Sequence, residues 1–161
     1  MKRSGLRELL LRARPGWFLL CVVLGAASVL GFAPFYLFPV PVLTLAALAW
    51  AWQQAPGAGQ TAILGFGFGL GYFLTGTSWV YVSMHDFGGM AWPVAAAATT
   101  VFCTILALFP AAAGWLFART PASGWVAPVI IFPAAWALME WVRGWMFTGF
   151  PWIALGYSQS P

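Results

Sequence analysis

Few side chains in this sequence could do chemistry, and the most suggestive of them lie near its end. The 161 residues include seven Lys or Arg, three Asp or Glu and one His. Two of these, Glu140 and Arg143, stand at the end of a long apolar run. Residues three apart share one face of a helix, so we expect a stabilising ion pair. The functional alternative is contact with a substrate headgroup, because ionisable groups at membrane depth often mark a site.

His85 and Asp86 form a second candidate pair. An adjacent His and Asp could belong to a hydrolase triad, but no Ser stands in the sequence context of a nucleophile elbow. A metal site would need at least three ligands at defined spacing, and this pair does not supply them. We therefore expect local hydrogen bonds in a solvated loop, and we predict no catalytic residue, metal site or cofactor in this sequence.

An aromatic, helix-breaking segment follows the charge pair. Residues 144–159 read Gly-Trp-Met-Phe-Thr-Gly-Phe-Pro-Trp-Ile-Ala-Leu-Gly-Tyr-Ser-Gln. Tryptophan is enriched where a chain meets the membrane–water interface, and proline interrupts a helix. The tryptophans around this point are most simply an aromatic belt, and the alternative is that they line a lipid portal: Trp136, Trp141, Trp145 and Trp152. The pattern predicts that residues 143–161 form an interfacial segment.

Composition indicates an integral membrane protein. Apolar residues make up 62% of the chain and charged residues only 6%. A soluble domain has about 25% charged residues, so this chain could not cover a water-facing surface. Alternating strands typical of a barrel are not evident. We predict an all-α membrane protein, a polytopic bundle of about five transmembrane helices with a C-terminal interfacial segment.

The five spans are predicted at residues 17–33, 37–52, 61–82, 93–117 and 125–141. A cleaved signal peptide is the alternative for the first, but the long basic segment before it and the apolar run just after it favour a retained span. Glycines alternate within the third run, as in a strand, yet an isolated strand in lipid would leave its backbone unsatisfied. Their four-residue spacing instead predicts close helix packing, with a lipid groove as the alternative: Gly65 with Gly69, and Gly67 with Gly71.

The basic residues predict the orientation of the chain. Five of the seven precede the first span: Lys2, Arg3, Arg7, Arg12 and Arg14. Basic residues favour the cytoplasmic side, and here they suit anionic lipid headgroups rather than nucleic acid. The predicted organisation is a cytoplasmic segment 1–16, a five-span membrane domain 17–142 and a periplasmic interfacial segment 143–161. Cys21 and Cys103 lie inside apolar runs and are expected to be small buried hydrophobes.

Several short motifs, in this order and at these intervals, resemble the N-terminal membrane part of the apolipoprotein N-acyltransferase family. The matching segments are residues 31–35, 76–83, 87–90, 133–136, 140–145, 148–152 and 156–159. The resemblance implies a bacterial inner-membrane enzyme with further spans and a nitrilase-like domain. In that domain, a Glu–Lys–Cys triad would take an acyl chain from a phospholipid as a thioester. The chain would then pass to the N-terminal diacylglyceryl-cysteine of a lipoprotein.

This sequence departs from the family pattern because it ends after five predicted spans. The triad is therefore expected outside it, and we expect a fragment that is inactive alone. The resemblance implies that Trp152 lies near the substrate, with Phe150, Pro151 and Tyr157 as neighbours. A non-catalytic membrane scaffold or a transporter-like module is the rival hypothesis. A transporter would favour internal repeats, and no convincing repeat is present.

Overall fold

The structure, a computed structural model, describes residues 14–121 and 124–159, in which all regular structure is helical. The helices are α1 (Arg14–Ser28), α2 (Pro39–Gln54), α3 (Ala58–Gly76), α4 (Trp79–Val82), α5 (Trp92–Arg119) and α6 (Phe132–Arg143). Each predicted apolar run overlaps one of the five longer helices, α1, α2, α3, α5 and α6, and in the fifth run a π-helical turn at Ala127–Ile131 precedes α6. The all-α class is therefore confirmed. Most of the predicted basic segment lies outside the described residues.

Helix α3 is the central helix and packs between α1 and α5. Its glycines permit both contacts. A Cβ on Gly71 would overlap the backbone carbonyl of Val22 in α1, and a Cβ on Gly65 would overlap that of Pro110 in α5. The predicted close packing of the glycine pairs is therefore confirmed, with one pair on each side of the helix: Gly67 and Gly71 towards α1, Gly65 and Gly69 towards α5.

Aromatic rings fill the space between the helices. Trp52 of α2 lies between two rings, with centroids 5.5 Å from that of Phe117 and 5.0 Å from that of Phe132. Phe68 of α3 meets Trp136 of α6 edge to face at 5.6 Å. These side chains bury large apolar surfaces at favourable ring geometries, so they hold α2, α3, α5 and α6 together.

Apolar side chains also cover the outside of the bundle. On α5, Val101 is 59% exposed and Leu108 is 55% exposed. Among the described helices, α5 is long and apolar enough to cross a membrane, with a mean hydropathy of 2.0. Helix α3 and the segment Trp79–Phe87 meet the same criterion together, although a bend of 48° separates them. The apolar helix Pro15–Gly31 is shorter.

The third predicted span, residues 61–82, is broken near its C-terminal end. Helix α3 ends at Gly76, and a helical segment continues at an angle through α4 and a π-helical turn at Ser83–Phe87. Two hydroxyl groups bond to preceding carbonyls at the break. Thr77 donates to the carbonyl of Phe73 at 2.7 Å, and Ser78 donates to the carbonyl of Thr75 at 3.2 Å. Such bonds often bend helices, although Thr99 and Thr100 make them within the continuous helix α5.

The connections between the described helices collect at two ends of the bundle. At one end, the side chains of Val29 and Ile153 both lie next to Gly76, so the turn after α1, the end of α3 and the C-terminal segment meet. At the other end, the loop after α2 lies beside the loop after α5. The candidate site lies at the first of these ends.

Gly71→Ala is expected to destabilise the bundle, because the new Cβ overlaps backbone of α1 that can move only if the helices separate. Overpacking of this kind costs about 1–3 kcal/mol. Thermal unfolding in lipid nanodiscs measures the effect, with Gly59→Ala as the matched control. Gly59 is an exposed residue of α3 with nothing within 4 Å of an added Cβ. Alanine there should leave stability unchanged or raise it by up to about 1 kcal/mol. Equal thermal unfolding midpoints for the two variants would contradict the close packing of α3 on α1 at Gly71.

Candidate functional site

The segment 149–155 turns back over the end of the bundle after α6. Gly149 begins the turn with φ +84, and a Cβ there would overlap the carbonyl of Gly144. This position therefore requires glycine. The amide of Phe150 then donates to the carbonyl of Arg143 at 3.1 Å. The helix break predicted from Gly-Phe-Pro is thus observed, and the segment runs beside α6 rather than away from it.

Arg143 is almost completely buried, with 2% of its surface exposed, and it binds the backbone of this segment. Its Nη1 donates to the carbonyl oxygens of Phe150 and Trp152, at 2.5 and 3.0 Å. Its Nη2 lies 3.8 Å from Oε1 of Glu140, which confirms the predicted ion pair. Burial lowers the pKa of Arg143, and the carboxylate of Glu140 partly raises it again. The guanidinium stays protonated, as arginine does in proteins.

Two further side chains bind the same segment. Oε1 of Glu140 accepts a hydrogen bond from the amide of Leu155 at 2.9 Å. The hydroxyl of Tyr72, a residue that is 1% exposed, donates to the carbonyl of Ile153 at 2.5 Å. We call Tyr72, Glu140 and Arg143 the clamp. The clamp satisfies backbone groups of residues 150, 152, 153 and 155, which have no regular secondary structure to bond them until the 3₁₀ turn at Leu155.

Ile153 is held in an unusual conformation by these contacts. Its φ is +48, and a β-branched residue in the left-handed region is uncommon. Its side chain is 8% exposed and lies against Gly76 of α3. A conformation of this kind costs about 1–3 kcal/mol, and it persists where surrounding contacts stabilise it. Here the buried side chain of Ile153 and the hydrogen bond from Tyr72 stabilise it.

A groove of about 620 Å³ opens beside the clamped segment. Its walls come from the turn after α1, from Trp79 and from the segment itself, and include Phe32, Tyr36, Trp79, Pro151, Trp152 and Tyr157. We call it the aromatic groove. The ring of Trp152 is 51% exposed, and its centroid lies 5.3 Å from that of Trp79.

The six predicted binding residues therefore occupy three different places. Pro151, Trp152 and Tyr157 line the aromatic groove, and Glu140 and Arg143 lie under the segment as part of the clamp. The sixth, Phe150, lines a smaller groove of about 240 Å³ and meets the ring of Phe102 edge to face at 5.0 Å.

Sequence reasoning missed Tyr72, Trp79 and the aromatic residues of the turn after α1. Tyr72 gave one usable signal, since a phenol inside a glycine-rich apolar helix needs a hydrogen-bond partner when buried. For Trp79 and the turn, the signal was the order of the predicted spans, because the ends of the first, third and fifth spans lie on the same side of a membrane.

His85 and Asp86 lie outside both grooves. Nδ1 of His85 is 2.8 Å from the carbonyl oxygen of Met90, and its Nε2 is 3.9 Å from Oδ1 of Asp86. The imidazole also packs on Tyr81, with centroids 5.4 Å apart. These are the local contacts expected from the sequence.

The fold and the site define an all-helical protein with an apolar exterior, in which a clamped aromatic segment borders a groove at one end. Residues 24–161 match the family model described as the apolipoprotein N-acyltransferase N-terminal domain. The chain therefore belongs to the apolipoprotein N-acyltransferase family, and the resemblance inferred from the motifs is confirmed. This membership favours an acyltransferase over a transporter-like module.

Curated relatives support the same assignment. The chain is 51% identical to an apolipoprotein N-acyltransferase of Nitrosomonas europaea over 139 residues, which are 86% of this chain and 28% of that protein. It is 41% identical to the apolipoprotein N-acyltransferase of Shewanella oneidensis over 145 residues, 88% of this chain and again 28% of the relative. The chain thus spans less than a third of the length of these relatives.

Arg143→Met is expected to lower the free energy of unfolding by about 3 kcal/mol, because it leaves the Glu140 carboxylate without its cation and two carbonyls without donors. Chemical unfolding in mixed micelles measures this change. Arg119→Met is the matched control, since Arg119 is exposed and stacks on Trp115, 4.7 Å from the ring centroid. Its loss should cost less than about 1 kcal/mol. Similar small losses in both variants would show that Arg143 does not hold the segment.

Proposed function

We propose that this chain forms the N-terminal membrane part of an apolipoprotein N-acyltransferase and that its aromatic groove binds a lipid substrate. The complete enzyme would transfer an acyl chain from a phospholipid, through a cysteine thioester, to the N-terminal diacylglyceryl-cysteine of a lipoprotein. The observation that carries the proposal is the groove itself, with the half-exposed ring of Trp152 at its wall. Family membership supports the same reaction class.

The nucleophile of this reaction is proposed to lie outside the chain. Cys21 and Cys103 have no exposed surface and are enclosed in α1 and α5. The charged residues nearest to the groove, Glu140 and Arg143, are bonded to backbone groups of the segment. We therefore propose that this part of the enzyme binds and orients lipid, and that it is inactive by itself.

The chemistry of the aromatic groove suits a lipid near the membrane surface. Its tryptophan and tyrosine rings offer apolar faces, while their N–H and O–H groups suit the polar side of an interface. Both proposed substrates, the phospholipid donor and the diacylglyceryl acceptor, present acyl chains beside polar groups. Glu140 and Arg143 would contribute to binding indirectly, because they hold the wall on which Trp152 stands.

We propose that the five predicted spans cross the bacterial inner membrane with the N-terminus in the cytoplasm. The apolar outer surface of the bundle and the basic residues before the first span support this orientation, which places the aromatic groove on the periplasmic side.

Labelling of whole cells with a membrane-impermeant maleimide tests this orientation. A cysteine replacing the 86% exposed Phe87 should react, and one replacing Gly59 should react only after permeabilisation. The reverse pattern would exclude the orientation.

Trp152→Ala in the complete acyltransferase tests the role of the groove. We expect acyl transfer to fall at least about tenfold, which corresponds to about 1.4 kcal/mol of lost stabilisation, with little loss of folded protein. Trp141→Ala is the matched control, because Trp141 is 65% exposed on α6 and packs on Trp145 rather than on the groove. Wild-type turnover of the Trp152 variant would contradict its assigned role.

A further inference from the structure

We infer that Tyr72 is a positioning residue, which sets the place of Trp152 in the aromatic groove through its bond to the neighbouring Ile153. The hydroxyl of Tyr72 donates to the carbonyl of Ile153 across 81 positions of sequence. Tyr72 was not among the residues that the sequence pointed to, and it does not line the aromatic groove. Its effect on the groove is therefore transmitted through the backbone of the segment.

The position of the Tyr72 hydroxyl is itself fixed by packing. Its ring lies 5.3 Å from that of Phe73, 6.1 Å from that of Phe68 and 6.2 Å from that of Phe32, measured between centroids. Two of these rings belong to α3, the central helix of the bundle. Packing of the ring fixes the position of the hydroxyl oxygen, so the carbonyl of Ile153 must lie within hydrogen-bond distance of that point to accept the proton.

Tyr72 lies on a different helix from the other two members of the clamp. Glu140 and Arg143 lie on α6, from which the segment directly continues, so their bonds shape the segment relative to its own helix. Of the clamp's hydrogen bonds, the one from Tyr72 reaches the segment from α3. Because Trp79 follows the end of α3, this bond acts with the packing of Ile153 against Gly76 to hold the ring of Trp152 near that of Trp79.

Because Ile153 has a left-handed conformation, the position of the Trp152 ring is sensitive to the hydrogen bond from Tyr72. An ordinary extended conformation at this residue would rotate its carbonyl away from Tyr72 and reorient the adjoining peptide of Trp152. With the hydroxyl present, that rotation would leave a buried donor and a buried acceptor unpaired, which is unfavourable. With the hydroxyl removed, the penalty for rotation falls and the uncommon φ of Ile153 loses part of its support.

The direct test follows the Trp152 ring in the chain itself, held in lipid nanodiscs and labelled with 5-fluorotryptophan. The fluorine resonance of Trp152 is assigned from its disappearance in Trp152→Phe. Tyr72→Phe removes one oxygen from a ring that its neighbours still hold, so the bundle should fold, and the thermal midpoint verifies this. We expect the Trp152 and Trp79 resonances to shift and broaden while that of Trp50, which packs on Trp17, stays in place.

Tyr81→Phe is the matched control, because it removes the same hydroxyl from a residue outside the clamp, and it should leave the Trp152 resonance unchanged. An unchanged Trp152 resonance in folded Tyr72→Phe would overturn the inference. A shift of all the tryptophan resonances together with a lowered midpoint would also overturn it, since that pattern indicates a general role in stability.

The consequence for catalysis rests on the proposed function and has a separate readout. In the complete acyltransferase, Tyr72→Phe should raise KM for the phospholipid or for the diacylglyceryl acceptor about 2- to 10-fold, the range expected for one lost hydrogen bond, and leave kcat nearly unchanged. A shifted Trp152 resonance with unchanged KM values for both substrates would support the positioning role and contradict the assignment of the aromatic groove to lipid binding. The two proposals can therefore fail independently.

Discussion

The buried guanidinium of Arg143 is the interaction on which the site depends. A charge with 2% of its surface exposed is stable only where its donors are used, and here two of them bind the carbonyls of Phe150 and Trp152. The carboxylate of Glu140 balances the charge and also binds the amide of Leu155. An irregular segment thereby becomes a fixed wall of the aromatic groove, without belonging to any long helix.

The central glycine-rich helix supports this wall from the other side. Its small residues let α1 and α5 approach so closely that the position of α3 is determined along its length. The same helix ends at Gly76, against which the side chain of Ile153 packs, and it supplies the hydroxyl of Tyr72. Helix packing thus determines the geometry of the groove. The aromatic residues that would contact lipid are positioned by buried residues that would not contact it.

Much of this architecture followed from the sequence, because the helices depend on local patterns. Apolar runs located the five long helices, the glycine spacing identified the faces of α3, and residues three apart identified the Glu140–Arg143 pair. The break after Gly76 was missed, since the apolar run continues through it and hydropathy does not report a change in helix direction. The backbone partners of Arg143 and the hydrogen bond of Tyr72 were also missed, because both depend on a chain reversal whose direction only the three-dimensional packing specifies.

Hydrogen exchange of the Leu155 amide, in the chain reconstituted in nanodiscs, tests the central claim most directly. This amide lies at the start of a short 3₁₀ turn, and its hydrogen bond goes to the carboxylate of Glu140. If the clamp holds the segment in the bundle, its exchange should be as slow as that of amides within α6 and should accelerate strongly in Arg143→Met. Exchange at the rate of an unstructured peptide in the wild-type chain would contradict the account.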